Sequence, residues 1–116
     1  ISNTDDHLRN HGFLYERHKG WRLSSAYDLN PTPVEIKPRI LTTTIDLNDG
    51  TASLDLALSV LKDFRLSQDE AKAIMKEVGI EVAKWRDVAQ TLGLNKAEID
   101  RMVSAFEHSD SSVASK

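Results

Sequence analysis

The chain has no cysteine, and this excludes both a disulfide framework and a thiolate metal site; the usage is that of a protein from a reducing compartment. No apolar run comes near the roughly 18 residues of a membrane-spanning helix, and no signal-peptide pattern opens the chain, so a soluble, cytoplasmic protein is expected. Proline is scarce, with three residues, and glycine too, with five. No G-x-G-x-x-G or G-x-x-x-x-G-K-[ST] loop occurs, so the chain has no phosphate-cradling turn of either type. Charge of one sign is also missing: 15 basic and 18 acidic residues leave −3, so no global field calls for nucleic acid or an anionic membrane. The first 40 residues hold six Lys or Arg against five Asp or Glu, and the remainder holds nine against thirteen. At 116 residues the length suits one small domain with a core of modest size.

What is present falls into three segments. Residues 1–50 form the first, polar at its start and extended beyond. Ile1 to His11 reads as a loop, because Ser, Asn, Thr and Asp in succession favour side-chain-to-backbone turns. Two aromatic-rich stretches follow, Gly12 to Glu16 and Trp21 to Ser24, separated by Arg17-His18-Lys19-Gly20, and this pattern predicts a β-hairpin with Gly20 at the turn. A hairpin returns the chain to where it left, so Asp28 is expected beside Asn10. All three prolines lie between Pro31 and Pro38, which makes that stretch extended rather than helical, with a short edge strand expected over Ile40 to Thr44. Asp46 to Gly50 has the oxygen-rich look of a calcium loop but lacks the spacing to a bidentate Glu, and it reads as a turn leading into a helix.

Residues 51–108 change to helical periodicity and predict a three-helix bundle. Leu54, Leu58, Val60, Leu61 and Phe64 form one apolar face, with Thr51 or Ser53 as cap. Ser67 and Glu70 make a capping box that opens a long helix, whose inward stripe is Ala71, Ile74, Met75, Val78, Val82, Trp85, Ala89 and Leu92. Gly79 marks a bend in it and Gly93 its stop. Asn95 and Glu98 repeat the capping pattern for a last helix with Ile99, Met102, Val103 and Phe106 inward. Residues 109–116 are Ser-rich with few large apolar groups and are expected to be disordered.

The chemistry-bearing pattern lies in the first thirty residues. Asp5 precedes Asn10 by five positions, two short strands follow, and then comes Asp28. Asp-x-x-x-x-Asn, hairpin, Asp is the order of parts in a protein kinase. The flanking residues, Thr4-Asp5-Asp6-His7-Leu8-Arg9-Asn10-His11-Gly12-Phe13-Leu14 and Gly20-Trp21-Arg22-Leu23-Ser24-Ser25-Ala26-Tyr27-Asp28-Leu29-Asn30-Pro31, resemble the HipA-like serine/threonine kinases of bacterial toxin–antitoxin systems, densely over Asn3 to Pro33 and more loosely over Leu54 to His108.

The resemblance implies a mainly α chain, the helical C-terminal lobe of a kinase-like fold with catalytic loop and hairpin at its N-terminal end. It further implies Asp5 as the catalytic residue, His7, Arg9, Asn10, Tyr27 and Asp28 at the ATP site, and Asn10 and Asp28 as Mg²⁺ ligands. His7 would brace the loop backbone and Arg9 would face a phosphate. The implied partners are a HipB-like helix-turn-helix antitoxin and a protein substrate such as an aminoacyl-tRNA synthetase. The acidic region from Asp46 to Asp55 argues against direct DNA contact by this part. Because Ile1 precedes Asp5 by only four positions, the chain is expected to be the C-terminal piece of a longer enzyme, inactive and binding no cofactor by itself. A non-catalytic helical interaction module is the alternative. A zinc pair at His7 and His11 is disfavoured, because the segment is not helical and carries no H-E-x-x-H.

Overall fold

A computed structural model describes residues 1–115. It is mainly α, with one two-stranded antiparallel sheet. Strands β1 (Phe13–Glu16) and β2 (Gly20–Leu23) pair as expected, with Tyr15 opposite Trp21. The turn is made by His18 and Gly20 at φ 73° and 89°, the left-handed region that glycine enters freely. At the hairpin base Ser24 N–H donates to the Gly12 carbonyl at 2.8 Å, which sets the following chain alongside the preceding loop. Phe13, Tyr15, Trp21 and Leu23 share one face and are all exposed.

No strand forms over residues 40–44, where an edge strand is expected. Ile40 makes one isolated bridge with Thr51, while the main-chain N–H groups of Thr42 and Thr43 turn to the carbonyls of Thr4 and Asp6. The donors a strand would use are thus taken by the N-terminal segment. Residues 46–50 form a turn held by Asp46 Oδ1, which accepts from Asn48 N–H.

The helices are α1 (Leu54–Ser59), α2 (Gln68–Ala83), α3 (Trp85–Thr91), α4 (Lys96–Arg101), α5 (Val103–Phe106) and α6 (Ser109–Ala114). Ser53 caps α1, and the boxes Ser67/Glu70 and Asn95/Glu98 open α2 and α4 as expected. Beyond α3, Gly93 at φ 85° directs its N–H to Gln90 and that of Leu94 to Ala89, a Schellman stop. The three expected helices are subdivided. Leu61–Phe64 winds into a 3₁₀ turn, and the long second helix breaks at Lys84 rather than bending at Gly79. At Lys84, and again at Met102, the N–H shortens its reach to the third preceding carbonyl, which tightens the turn.

Gly79 serves packing instead. A Cβ there would lie 2.5 Å from the Ala114 backbone, so its missing side chain is what lets α6 lie against α2. The Ser-rich tail expected to be disordered is therefore a docked helix through Ala114, while Lys116 falls outside the described residues. The tail's scarcity of large apolar groups is met by small-residue packing. Its N-terminus is capped by His108, whose Nδ1 accepts from Ser111 N–H at 3.3 Å, and its Asp110 pairs with Arg39 at 2.8 Å.

That cap requires a neutral imidazole. Desolvation first, and then the nearby Arg39 charge, hold the His108 pKa below its usual value. The unfolded chain takes up this proton from about pH 6.5 downward, and the folded chain takes it up only at lower pH. Between those points the unfolded state binds more protons, so the contribution is complete above pH 6.5 and is lost as pH falls through the folded pKa. Amide exchange in α6 should accelerate across that window, and His108→Asn, a cap that does not titrate, should flatten the profile. An unchanged profile in H108N would assign the pH dependence to another group.

Side-chain burial is thinner than the apolar stripes imply. Among the described residues the buried apolar ones are Ala71, Ile99 and Ala105, while Phe64, Ile74, Val78 and Leu92, expected inward, are exposed. The accessible surface of 8718 Å² exceeds the roughly 6,300 Å² of a compact protein of this mass. The radius of gyration of 15.8 Å likewise exceeds about 13 Å. Besides the close approach of α6 to α2, Trp85 of α3 stacks on Phe106 of α5 at 4.5 Å, with Arg86 bonded to Glu107 at 2.6 Å beside them. No described helix is long and apolar enough to cross a membrane.

Candidate functional site

The N-terminal segment runs between the helices and the proline-rich stretch. Ser2 N–H donates to the Ala105 carbonyl of α5 at 2.8 Å, and the Ser2 carbonyl accepts from Thr32 N–H at 3.0 Å. Ser2 and Thr4 are each 1% exposed and are the largest fully buried side chains among the described residues. Residues 2–6 are thus tied to the helical part at Ser2 and to residues 42 and 43 at Thr4 and Asp6. Residues 8–10 then close a 3₁₀ turn in which Asn10 N–H reaches the His7 carbonyl at 2.8 Å.

That turn points Asn10 inward, 7% exposed, with Oδ1 accepting from His7 N–H at 3.0 Å and Nδ2 donating to Asp28 Oδ2 at 2.7 Å. The hairpin has brought together two side chains 18 positions apart. Asn30 Nδ2 donates to the other Asp28 oxygen at 2.6 Å, so an amide holds each carboxylate oxygen. Asp28 has φ 58°, a left-handed conformation that Asp tolerates better than most residues and that clusters at functional sites.

The remaining candidates surround this core. The Tyr27 hydroxyl donates to the Arg9 carbonyl at 2.8 Å, bracing the 3₁₀ turn against the segment that carries Asp28. The Arg9 side chain is exposed and makes no salt bridge among the described residues. His7 braces the loop through its main-chain N–H, while its ring Nδ1 is buried without a partner among the described residues. His11 pairs with Asp6, at 3.0 Å, and not with His7. Asp5 projects outward with its side chain 78% exposed, and its one charged neighbour among the described residues is Lys37 Nζ at 3.9 Å.

The donor set can be tested against Mg²⁺. Asn10, Asp28 and Asn30 supply hard oxygens, and a carboxylate oxygen that accepts one N–H keeps a second lone pair for an ion. No described group of three or more His, Cys, Asp or Glu could cage a metal alone. Mg²⁺ is typically bound by one or two side-chain oxygens, with waters and substrate phosphates completing its octahedron at about 2.1 Å. The donor types suit that arrangement; the Asn10 amide presents its nitrogen to Asp28 and its oxygen to His7 N–H, so both oxygens would meet one ion with the Asn10 amide turned over. A groove of about 660 Å³ lies elsewhere, lined by residues of α1, α2 and α6 among others, and it includes none of Asp5, Asn10 or Asp28.

Sequence reasoning missed Asn30, although its place two residues after Asp28 was a signal, since Asx side chains commonly bond within two positions. It also missed Thr42 and Thr43, whose contact with the loop has no local signature.

Comparison with protein families matches residues 1–112 to the HipA-like C-terminal domain. No curated protein and no solved structure matches the chain.

Proposed function

The chain belongs to the HipA-like C-terminal domain family, and from that premise we propose that it provides the catalytic-loop and metal-binding half of an ATP- and Mg²⁺-dependent protein serine/threonine kinase, the toxin of a toxin–antitoxin pair. The observation that carries this reading is the meeting of Asn10 and Asp28 at 2.7 Å across the hairpin. A plain surface hairpin has no need to bury an asparagine against an aspartate held in the left-handed region.

When bound, ATP supplies the transferable phosphoryl group and Mg²⁺ the positive charge that offsets its oxygens. Asn10 and Asp28 would hold the metal, with Asn30 keeping the carboxylate turned toward Asn10. Asp5 would orient the incoming Ser or Thr hydroxyl and accept its proton late. Arg9 would face a phosphate, and Tyr27 would keep the Arg9 main chain in place. Catalysis by such a set is chiefly positioning and charge neutralisation. The proposed partners are a helix-turn-helix antitoxin and an aminoacyl-tRNA synthetase as phosphorylated substrate.

The test is transfer of the terminal phosphate of labelled ATP to protein by the full-length polypeptide that carries this domain, with and without EDTA. Mg²⁺-dependent labelling of Ser or Thr is expected; its absence in the presence of both antitoxin and synthetase would overturn the reading. A second reading, a non-catalytic helical interaction module, is favoured by the surface excess and by the uncovered apolar residues of α2 and α3, and it is the one left standing by that negative result.

A further inference from the structure

We propose that Thr42 and Thr43 are positioning residues that hold Asp5 in register, an inference that rests on the catalytic role of Asp5 proposed above. The Asp5 carboxylate makes no hydrogen bond among the described residues and has only Lys37, at 3.9 Å, for a charged neighbour. Its direction is therefore set by its own main chain.

That main chain is gripped on both sides. The carbonyl of Thr4, immediately before Asp5, accepts from Thr42 N–H at 3.1 Å and from Thr42 Oγ1 at 3.0 Å. The carbonyl of Asp6, immediately after it, accepts from Thr43 N–H at 3.1 Å and from Thr43 Oγ1 at 2.9 Å. Each carbonyl thus uses both lone pairs on one threonine. Two consecutive residues occupy two carbonyls that flank a single side chain, and a slip by one position would move every bond off register.

The clamp is anchored at both ends. Below it, Thr4 is buried and Ser2 is bonded to Ala105 and Thr32. Behind it, Leu41 N–H donates to the Gly50 carbonyl at 2.7 Å and Ala52 N–H to the Arg39 carbonyl at 3.0 Å, so the segment bearing the threonines is itself held in a closed loop. Only Asp5 between the two gripped peptides is left projecting into solvent. This is the disposition expected where a side chain must present its carboxylate to an incoming hydroxyl without being neutralised by partners of its own.

The hydroxyl contribution can be separated from the backbone one, because valine has the shape of threonine and leaves both N–H bonds in place. In the full-length polypeptide, T42V/T43V should lower kcat about 10–100-fold, the effect of misplacing a reacting group by up to about 1 Å. KM for ATP should stay within about twofold, since Asn10 and Asp28 are held by other contacts. T42S/T43S, which restores the hydroxyls, should recover kcat to within about threefold of wild type. Wild-type kcat in the double valine variant, a loss confined to KM, or a loss that serine does not rescue would each overturn the clamp. Should the double variant fail to fold, the single variants T42V and T43V are read by the same criteria. Asp5→Asn in the same assay separates the two levels. Activity retained in D5N removes the role of Asp5, and the clamp with it; an inactive D5N beside a fully active T42V/T43V removes the clamp alone.

Discussion

Asp5→Asn should lower phosphoryl transfer by the full-length polypeptide about 10²–10⁴-fold, the usual contribution of a positioned proton acceptor. The folded state should hardly notice. The Asp5 side chain is 78% exposed, and its one charged contact, to Lys37 at 3.9 Å, is of the kind that contributes about 0–1 kcal/mol when both partners are in water. Asparagine keeps the shape and can still accept a hydrogen bond, so what is removed is the charge and the ability to take a proton. The measurement is a rate at saturating ATP alongside a melting curve. A large loss of rate with an unchanged Tm is the expected pair. Retained rate would take Asp5 out of the chemistry, and loss of both would make it a structural residue.

Asp28→Asn should act through the metal. Asparagine tolerates the left-handed backbone at φ 58° nearly as well as aspartate, so the substitution does not strain the turn. With its amide oriented to accept from Asn10 it also retains one of the two bonds that hold Asp28, and stability should fall by about 1 kcal/mol. The negative charge is gone, however, and with it the stronger of the two proposed metal ligands. The Mg²⁺ concentration for half-maximal activity should rise at least about tenfold, with a lower plateau. An unchanged Mg²⁺ requirement would show that Asp28 serves the loop and not the ion. Asp5 and Asp28 are thus distinguished by which variable rescues them: excess Mg²⁺ restores part of the D28N rate and none of the D5N rate.

The surface excess bears on how these experiments are done. Ile74, Val78 and Leu92 are exposed on helices whose spacing presents them as inward-facing, so the helices expect a cover that the described residues do not provide. Measurements on the full-length polypeptide avoid reading the consequences of that uncovered surface as consequences of the site.

The sequence by itself determined the elements whose causes lie within a few residues. The hairpin follows from two aromatic runs and a glycine turn, the starts of α2 and α4 from Ser67/Glu70 and Asn95/Glu98, and the stop after α3 from Gly93; in each, donor and acceptor are three to five positions apart, or paired strands are joined by a short turn. The approach of Asn10 to Asp28 was legible for the same reason, because a hairpin returns its ends to one place. Tertiary structure decided the rest. The grip of Thr42 and Thr43 on Thr4 and Asp6 spans 38 and 37 positions, and Arg39 meets Asp110 across 71. Gly79 is a point of contact rather than a bend only because Ala114 arrives there. A serine-rich tail becomes helix α6 once a histidine caps it and a glycine makes room. Such partners leave no periodicity in the sequence, because hydrogen bonds and close contacts between distant segments depend on the path of the whole chain, and residue spacing does not encode that path.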